Sequence, residues 1–377
     1  MSQGEQPSNG FHRVGHALIL VRRGANANPR GQTVPMRIRP LALVVVLLAA
    51  ACSSDKPAAP VATPPQTAAP STSAAPSFAA QDWPMYHGTA DHAGVATAMP
   101  SGGTPVLGQS LKLDGAVYAS PLVVRGLTIV ATENDTVYAF NGSYRQVWKR
   151  NLGSPSPAEE RQCGNIDPLG ITGTPIFDRT SGKVFVVAEQ SGAVRHELYA
   201  LDAATGAVAW SKSVDLPGVS ARDMQQRGAL AIADGKVWVS FGAQIGDCGN
   251  YKGRVVGVNL DGSGNAVFYS PPTKRGGGIW NPAGPVVLGN GALLVVSANG
   301  AGFPGDAYDH TNTVLALDGN AELVDSFAPS DWAENNQGDV GLGSQGVALV
   351  GTKWAVLGGK SGPVYVLRQD KLGGIGG

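Results

Sequence analysis

The densest run of oxygen ligands in the chain is Asp306-Ala-Tyr-Asp309-His310-Thr-Asn312. Asp306, Asp309 and Asn312 are hard oxygen donors of the kind that hold Ca2+ from a loop. The run lacks the EF-hand spacing, however, and reads first as a solvated polar loop between two strands. The six His form no metal motif. His87 and His92 flank Asp91, a weak zinc spacing, and His196-Glu197 lacks the second His of a zincin. Asp247-Cys-Gly-Asn250 and Asp339-Val-Gly-Leu-Gly343 read as turns. No Ser sits in a nucleophile elbow. The Gly runs 276–278 and 373–377 open no helix, so neither reads as a phosphate loop.

The three cysteines divide into one and two. Cys52 follows Ala49-Ala-Ala51, and before that come Met36, Arg37, Arg39 and the apolar stretch Leu41–Leu48. A basic start, a short apolar run and small residues before a break make a secretory signal, too short for a stable membrane span. The run ending in Cys52 resembles a lipobox, whose thiol receives diacylglycerol. Ala49 departs from that pattern, since Leu is usual there and Leu48 lies one place early. Cys163 and Cys248 remain, each in a Gly-rich connection. An even pair in an oxidising compartment is most simply a disulfide.

Around these residues the chain is built from a repeat. Leu198-Tyr-Ala-Leu-Asp-Ala-Ala-Thr-Gly-Ala-Val-Ala-Trp210 alternates apolar and small residues as a half-buried strand does. It then turns through Asp202 to Gly206 and ends a second strand in Trp210. Weaker copies run from Val137 to Trp148, Val255 to Phe268 and Val314 to Phe327, with a half-copy at Val364-Tyr-Val-Leu367. Each is preceded by two further strands, the first starting on a small residue. Marks at positions 121, 175, 229, 285 and 347 are spaced by 54, 54, 56 and 62 residues. Four short strands per unit, tight turns and no helical periodicity are the pattern of a propeller blade. The aromatic residues at 148, 210, 268 and 327 are expected to pack where blades diverge. Arg227, directly ahead of an inner strand, is expected at the channel mouth, with a carboxylate partner or an anionic ligand.

The hairpin Ala200-x-Asp202-x-x-Thr205-Gly206-x-x-x-Trp210 resembles the tryptophan-docking motif of the pyrroloquinoline-quinone (PQQ) propeller repeat. Asp82-Trp-Pro-Met-Tyr86, Gly170-Ile-Thr-Gly-Thr-Pro175 and Gln226-Arg-Gly-Ala-Leu230 are similar to stretches of the same broad family. The resemblance covers roughly residues 82 to 377. It implies an all-β, quinoprotein-like propeller of four-stranded blades, with five present and the last lacking its outer strand, so that the ring is expected to be incomplete. It offers two functions. One is a non-catalytic binding or scaffolding role at the cell envelope. The other is a PQQ-dependent alcohol or sugar dehydrogenase, with PQQ and Ca2+ in the channel and Arg227, Asp306, Asp309 and Asn312 as the weak site candidates. The vicinal Cys pair and the haem-attachment motif that such dehydrogenases often carry do not occur in this sequence, which favours the first.

Composition sets the remaining bounds. The 52 Gly are about twice the usual ~7%, as turn-dense β structure requires. Residues 1–51 form a signal region, with Met36 the expected true start. Residues 52–81 read as a lipidated linker rich in Pro, Ala, Ser and Thr, unable to bury enough apolar surface to fold. Residues 82–377 are the propeller. The signal region holds six Arg and one Glu, so the remainder carries a net charge near −5. No basic stripe supports a nucleic-acid partner. The expected partners are a membrane, through the lipid anchor on the extracytoplasmic face, and an envelope protein.

Overall fold

The computed structural model describes residues 82–96 and 107–377, together with a short antiparallel pair, β1 (Arg13–Val14) and β2 (Ala17–Leu18). Cys52 and the linker lie outside the described residues.

Residues 107–377 fold into successive antiparallel sheets in the order read from the repeat. Blade one is β3 (Leu122–Val124), β4 (Leu127–Thr132), β5 (Thr136–Asn141) and β6 (Gln146–Asn151). Blade two is β7 (Ile176–Asp178), β8 (Lys183–Gln190), β9 (Arg195–Asp202) and β10 (Val208–Ser213). In blade three a two-residue strand, β11 (Met224–Gln225), precedes β12 (Ala231–Ala233), β13 (Lys236–Ala243), β14 (Arg254–Asn259) and β15 (Val267–Tyr269). Blade four is β16 (Val286–Val287), β17 (Leu293–Val296), β18 (Val314–Leu317) and β19 (Leu323–Ala328). A short helix, α1 (Trp332–Gln337), leads to blade five, whose described strands are β20 (Ala348–Val350), β21 (Trp354–Gly358) and β22 (Val364–Arg368). This is the quinoprotein-like propeller architecture.

The cores lie between blades. Leu122, Ile129 and Val137 of blade one pack with Phe177, Val184, Val186 and Leu201 of blade two. Equivalent clusters join blades two and three, three and four, and four and five. At the hub, backbones approach closely enough to bond from blade to blade. Ser120 N donates to Thr174 Oγ1 (3.0 Å), Leu230 N to Thr174 O (3.0 Å) and Ala229 N to Pro282 O (3.0 Å). Small residues before each inner strand permit this approach.

The docking motif works across blades. Trp148 of blade one donates its indole N–H to Ala203 O of blade two and lies on Gly206. Trp210 of blade two lies in the same way on Gly262 of blade three. Phe327 meets Tyr365 of blade five at a centroid distance of 5.1 Å.

One expectation is corrected. Phe268 does not pack: it is 50% exposed, and its neighbours Val267 and Tyr269 turn toward blade four instead. Side chains alternate along a strand, so a shift of one place exchanges the two faces. Trp83 pairs with Val123 on the inner strand of blade one. Beyond it the segment crosses the hub, with Pro84 O accepting from Phe177 N (2.7 Å) and Ala90 O from Val287 N (3.2 Å). The Gly-rich run after Asp370 contains a short strand, β23 (Gly374–Ile375), which pairs in parallel with β19 of blade four.

Candidate functional site

One face of the hub collects the turns between second and third strands and the connections between blades. Arg227 stands there, just ahead of blade three's inner strand. Its Nε donates to Trp280 O (3.0 Å), and its guanidinium lies 5.4 Å from the Trp280 ring centroid. Among the described residues no carboxylate reaches it at ion-pair distance, contrary to the expected pairing. A guanidinium is weakly hydrated and stacks on aromatic faces, so a carbonyl and a ring hold it without a carboxylate. Burial lowers its pKa, with Asp247 opposing the shift.

The contacts continue outward. Tyr251 lies 6.0 Å from Trp280, and the Arg275 guanidinium lies 5.0 Å from the Tyr251 ring. Arg275 also donates Nε to Gly249 O (2.9 Å) and bonds Asp247 O. Burial raises the Asp247 pKa, and the charge of Asp339 adds to the rise. Asp339 in turn accepts from Asn299 Nδ2 (2.6 Å) and meets Lys360 Nζ at 3.4 Å. These side chains brace loops of blades three, four and five against one another.

The calcium candidates do not converge. Asp306 Oδ2 accepts from Phe303 N (2.9 Å) and Asp309 Oδ1 from Thr311 Oγ1 (2.5 Å), each closing its own turn. Asn312 is fully buried, donating to Trp332 O (3.1 Å) and Asn336 Oδ1 (2.8 Å) and accepting from Leu342 N (2.9 Å). It anchors α1 instead of facing an ion. His87 and His92 lie on the segment crossing the hub, where His87 Nδ1 meets His92 O at 3.2 Å and burial lowers the His92 pKa to about 4.

Cys163, from the connection between blades one and two, is disulfide-bonded to Cys248, from a turn of blade three, with Cα atoms 6.1 Å apart. The bond skips blade two and straps the connection across it.

Beneath that strap lies a group the sequence did not reveal. Glu133 and Asp135, in the turn between β4 and β5, and Glu189, at the end of β8, are all almost fully buried. His196 joins them from β9, with Nε2 3.3 Å from Glu189 Oε2 and Nδ1 2.7 Å from Asp215 Oδ1. A signal for His196 was present: it shares its strand parity with buried Leu198 and Ala200. No comparable signal marks Glu133 or Asp135, which sit in a turn.

A family model described as outer membrane protein assembly factor BamB matches residues 69–198 and again residues 178–307, together more than half of the chain. The chain belongs to this family of PQQ-like β-propellers. Among solved structures it is similar to the quinohemoprotein alcohol dehydrogenase from Comamonas testosteroni (16% identity, TM-score 0.58, 78% of this chain and 48% of that one). It is similar also to the quinohemoprotein alcohol dehydrogenase ADHIIG from Pseudomonas putida HK5 (19%, TM-score 0.55, 78% and 47%). A europium-containing methanol dehydrogenase follows (17%, TM-score 0.51, 68% and 49%). The chain thus spans about half the length of these structures, and at such identities the likeness is one of fold. No curated protein matches.

Two of these structures are named as quinohemoproteins and one as europium-containing. The side chains first assigned to a quinone and metal site do not fit that role here. Arg227 is committed to Trp280, and Asn312 is bonded at both ends of its amide. Among the described residues no three His, Cys, Asp or Glu side chains gather as metal ligands.

Proposed function

We propose that this PQQ-like propeller is a lipid-anchored, extracytoplasmic protein that binds or scaffolds other envelope proteins. The observation that carries the reading is the bracing of the loop face. Arg227, Trp280, Tyr251 and Arg275 engage one another and the backbone around them, and Asn299 and Lys360 engage Asp339. Side chains used this way stiffen loops into a platform and leave few groups to converge on a substrate. Loops varied on a rigid frame suit recognition of a partner. The lipobox-like Cys52 and the Pro-rich tether after it support placement at a membrane surface. The family description, an outer-membrane assembly factor, directs the search toward envelope assembly partners.

The test is cross-linking and recovery of the full chain from envelope extracts, run beside an assay of the purified protein with PQQ, Ca2+, an electron-accepting dye and a panel of alcohols. Recovery of a defined envelope protein with no dye reduction is expected. Alcohol-dependent dye reduction that requires PQQ would overturn the proposal in favour of a dehydrogenase.

A further inference from the structure

Glu133, Asp135 and Glu189 bring three carboxyl groups to the boundary of blades one and two, each no more than 2% exposed. Among the described residues Gly170 N donates to Glu133 Oε2 at 2.7 Å and His196 Nε2 lies 3.3 Å from Glu189 Oε2, while neither oxygen of Asp135 has a partner. A buried carboxylate without donors is costly, and neighbouring carboxylates cannot all ionise. Something must occupy those oxygens. The described carboxyl and imidazole groups do not gather as metal ligands, and His196 and Arg161 already bring positive charge to the site. For Glu133 and Asp135 protons are the occupant that fits, since a neutral carboxyl is far less costly to bury than a carboxylate.

The group sits under the strap formed by residues 155–170. Ser156 pairs with Leu169 and donates its N–H to Glu189 O (3.3 Å). Glu160 Oε2 accepts from Gly192 N of blade two (2.9 Å). Gly170 leaves no room for a side chain between Glu133 and Asp135. The strap is thus tied to both blades at the carboxyl cluster, and to blade three through Cys163–Cys248.

We propose that Glu133 and Asp135, facing Glu189, form a proton-loaded latch that clamps the strap onto blades one and two and releases it as the protons leave in alkaline solution. Burial is the main cause of both shifts, raising Glu133 to about 7 and Asp135 to about 8. Glu189 adds to both rises. Arg161 opposes the first, and Arg195 and His196 oppose the second. Tyr199 borders Asp135 from blade two, and Asp215 pairs with His196 on the far side. With folded values above those of free carboxyls, the closed state binds more protons than the open one. Its advantage is complete at acidic pH and falls as pH rises through 7 and 8.

Amide hydrogen exchange of residues 155–170 in the oxidised full chain tests the latch. After correction for intrinsic rates, opening should increase by about tenfold or more between pH 6 and pH 9. The double variant Glu133→Gln, Asp135→Asn should flatten that rise. Equal corrected protection at both pH values in the native chain would overturn the proposal. Infrared spectroscopy of the unsubstituted protein needs no variant to fold: a protonated-carboxyl band present at pH 6 and gone by pH 9 supports the latch, and no such band at pH 6 sinks it.

Discussion

Trp148 donates its indole N–H to the carbonyl of Ala203 at 3.0 Å, and the same ring covers Gly206, a residue at φ +68°. One contact thereby joins the outer strand of blade one to the turn of blade two. Asp202 shapes that turn by accepting from Thr205 N (2.9 Å) and Thr205 Oγ1 (2.7 Å). The motif is thus a lock whose two halves belong to different blades.

Gly206→Ala should destabilise the propeller by about 2–4 kcal/mol, combining a left-handed backbone with overpacking against Trp148. Trp148→Ala should cost about 3–5 kcal/mol by emptying the same site. Both are read from denaturant unfolding. A double variant no worse than Trp148→Ala alone would show that the two act through one contact.

Removing the disulfide by Cys163→Ala and Cys248→Ala should lower stability by about 4 kcal/mol in the chain-entropy model, for a separation of 85 residues. Peptide mapping without reductant should recover the two cysteines in one linked fragment. Two free, alkylatable thiols in exported protein would contradict the bond.

Cys52→Ala should leave a product that is unprocessed or released from membranes. Detergent partitioning and intact mass check this. A variant that partitions as before, with an unchanged mass, would remove the lipid anchor from the proposed function.

His196 makes stability depend on pH in a defined direction. Full burial alone would lower its pKa, but bonds to Asp215 and Glu189 prevail and raise it from the ordinary 6.5 to about 10. A raised folded pKa means that the contribution is complete below about 6.5 and is lost as pH rises through about 10. His196→Gln should cost about 3–5 kcal/mol at neutral pH, because it leaves the buried Glu189 carboxylate without its charge partner. Melting curves across pH 6 to 10 should show a shallower decline in the variant. An identical slope would mean that His196 is not charged in the folded protein.

The sequence by itself determined the repeat, the four-strand grammar of the blades and the docking motif. All of these are local: alternation, turn residues and a terminal aromatic lie within a few dozen residues of one another. The place of Arg227 directly ahead of an inner strand was legible for the same reason. Its partner was not, because Trp280 lies 53 residues away. Tertiary structure also decided that Phe268 turns outward, that Asn312 anchors a helix and that Gly374–Ile375 pairs with β19. It alone assembled Glu133, Asp135 and Glu189. Each is an ordinary polar residue at a turn or strand end until a neighbouring blade and the strap exclude water from it, and burial of that kind depends on segments distant in sequence.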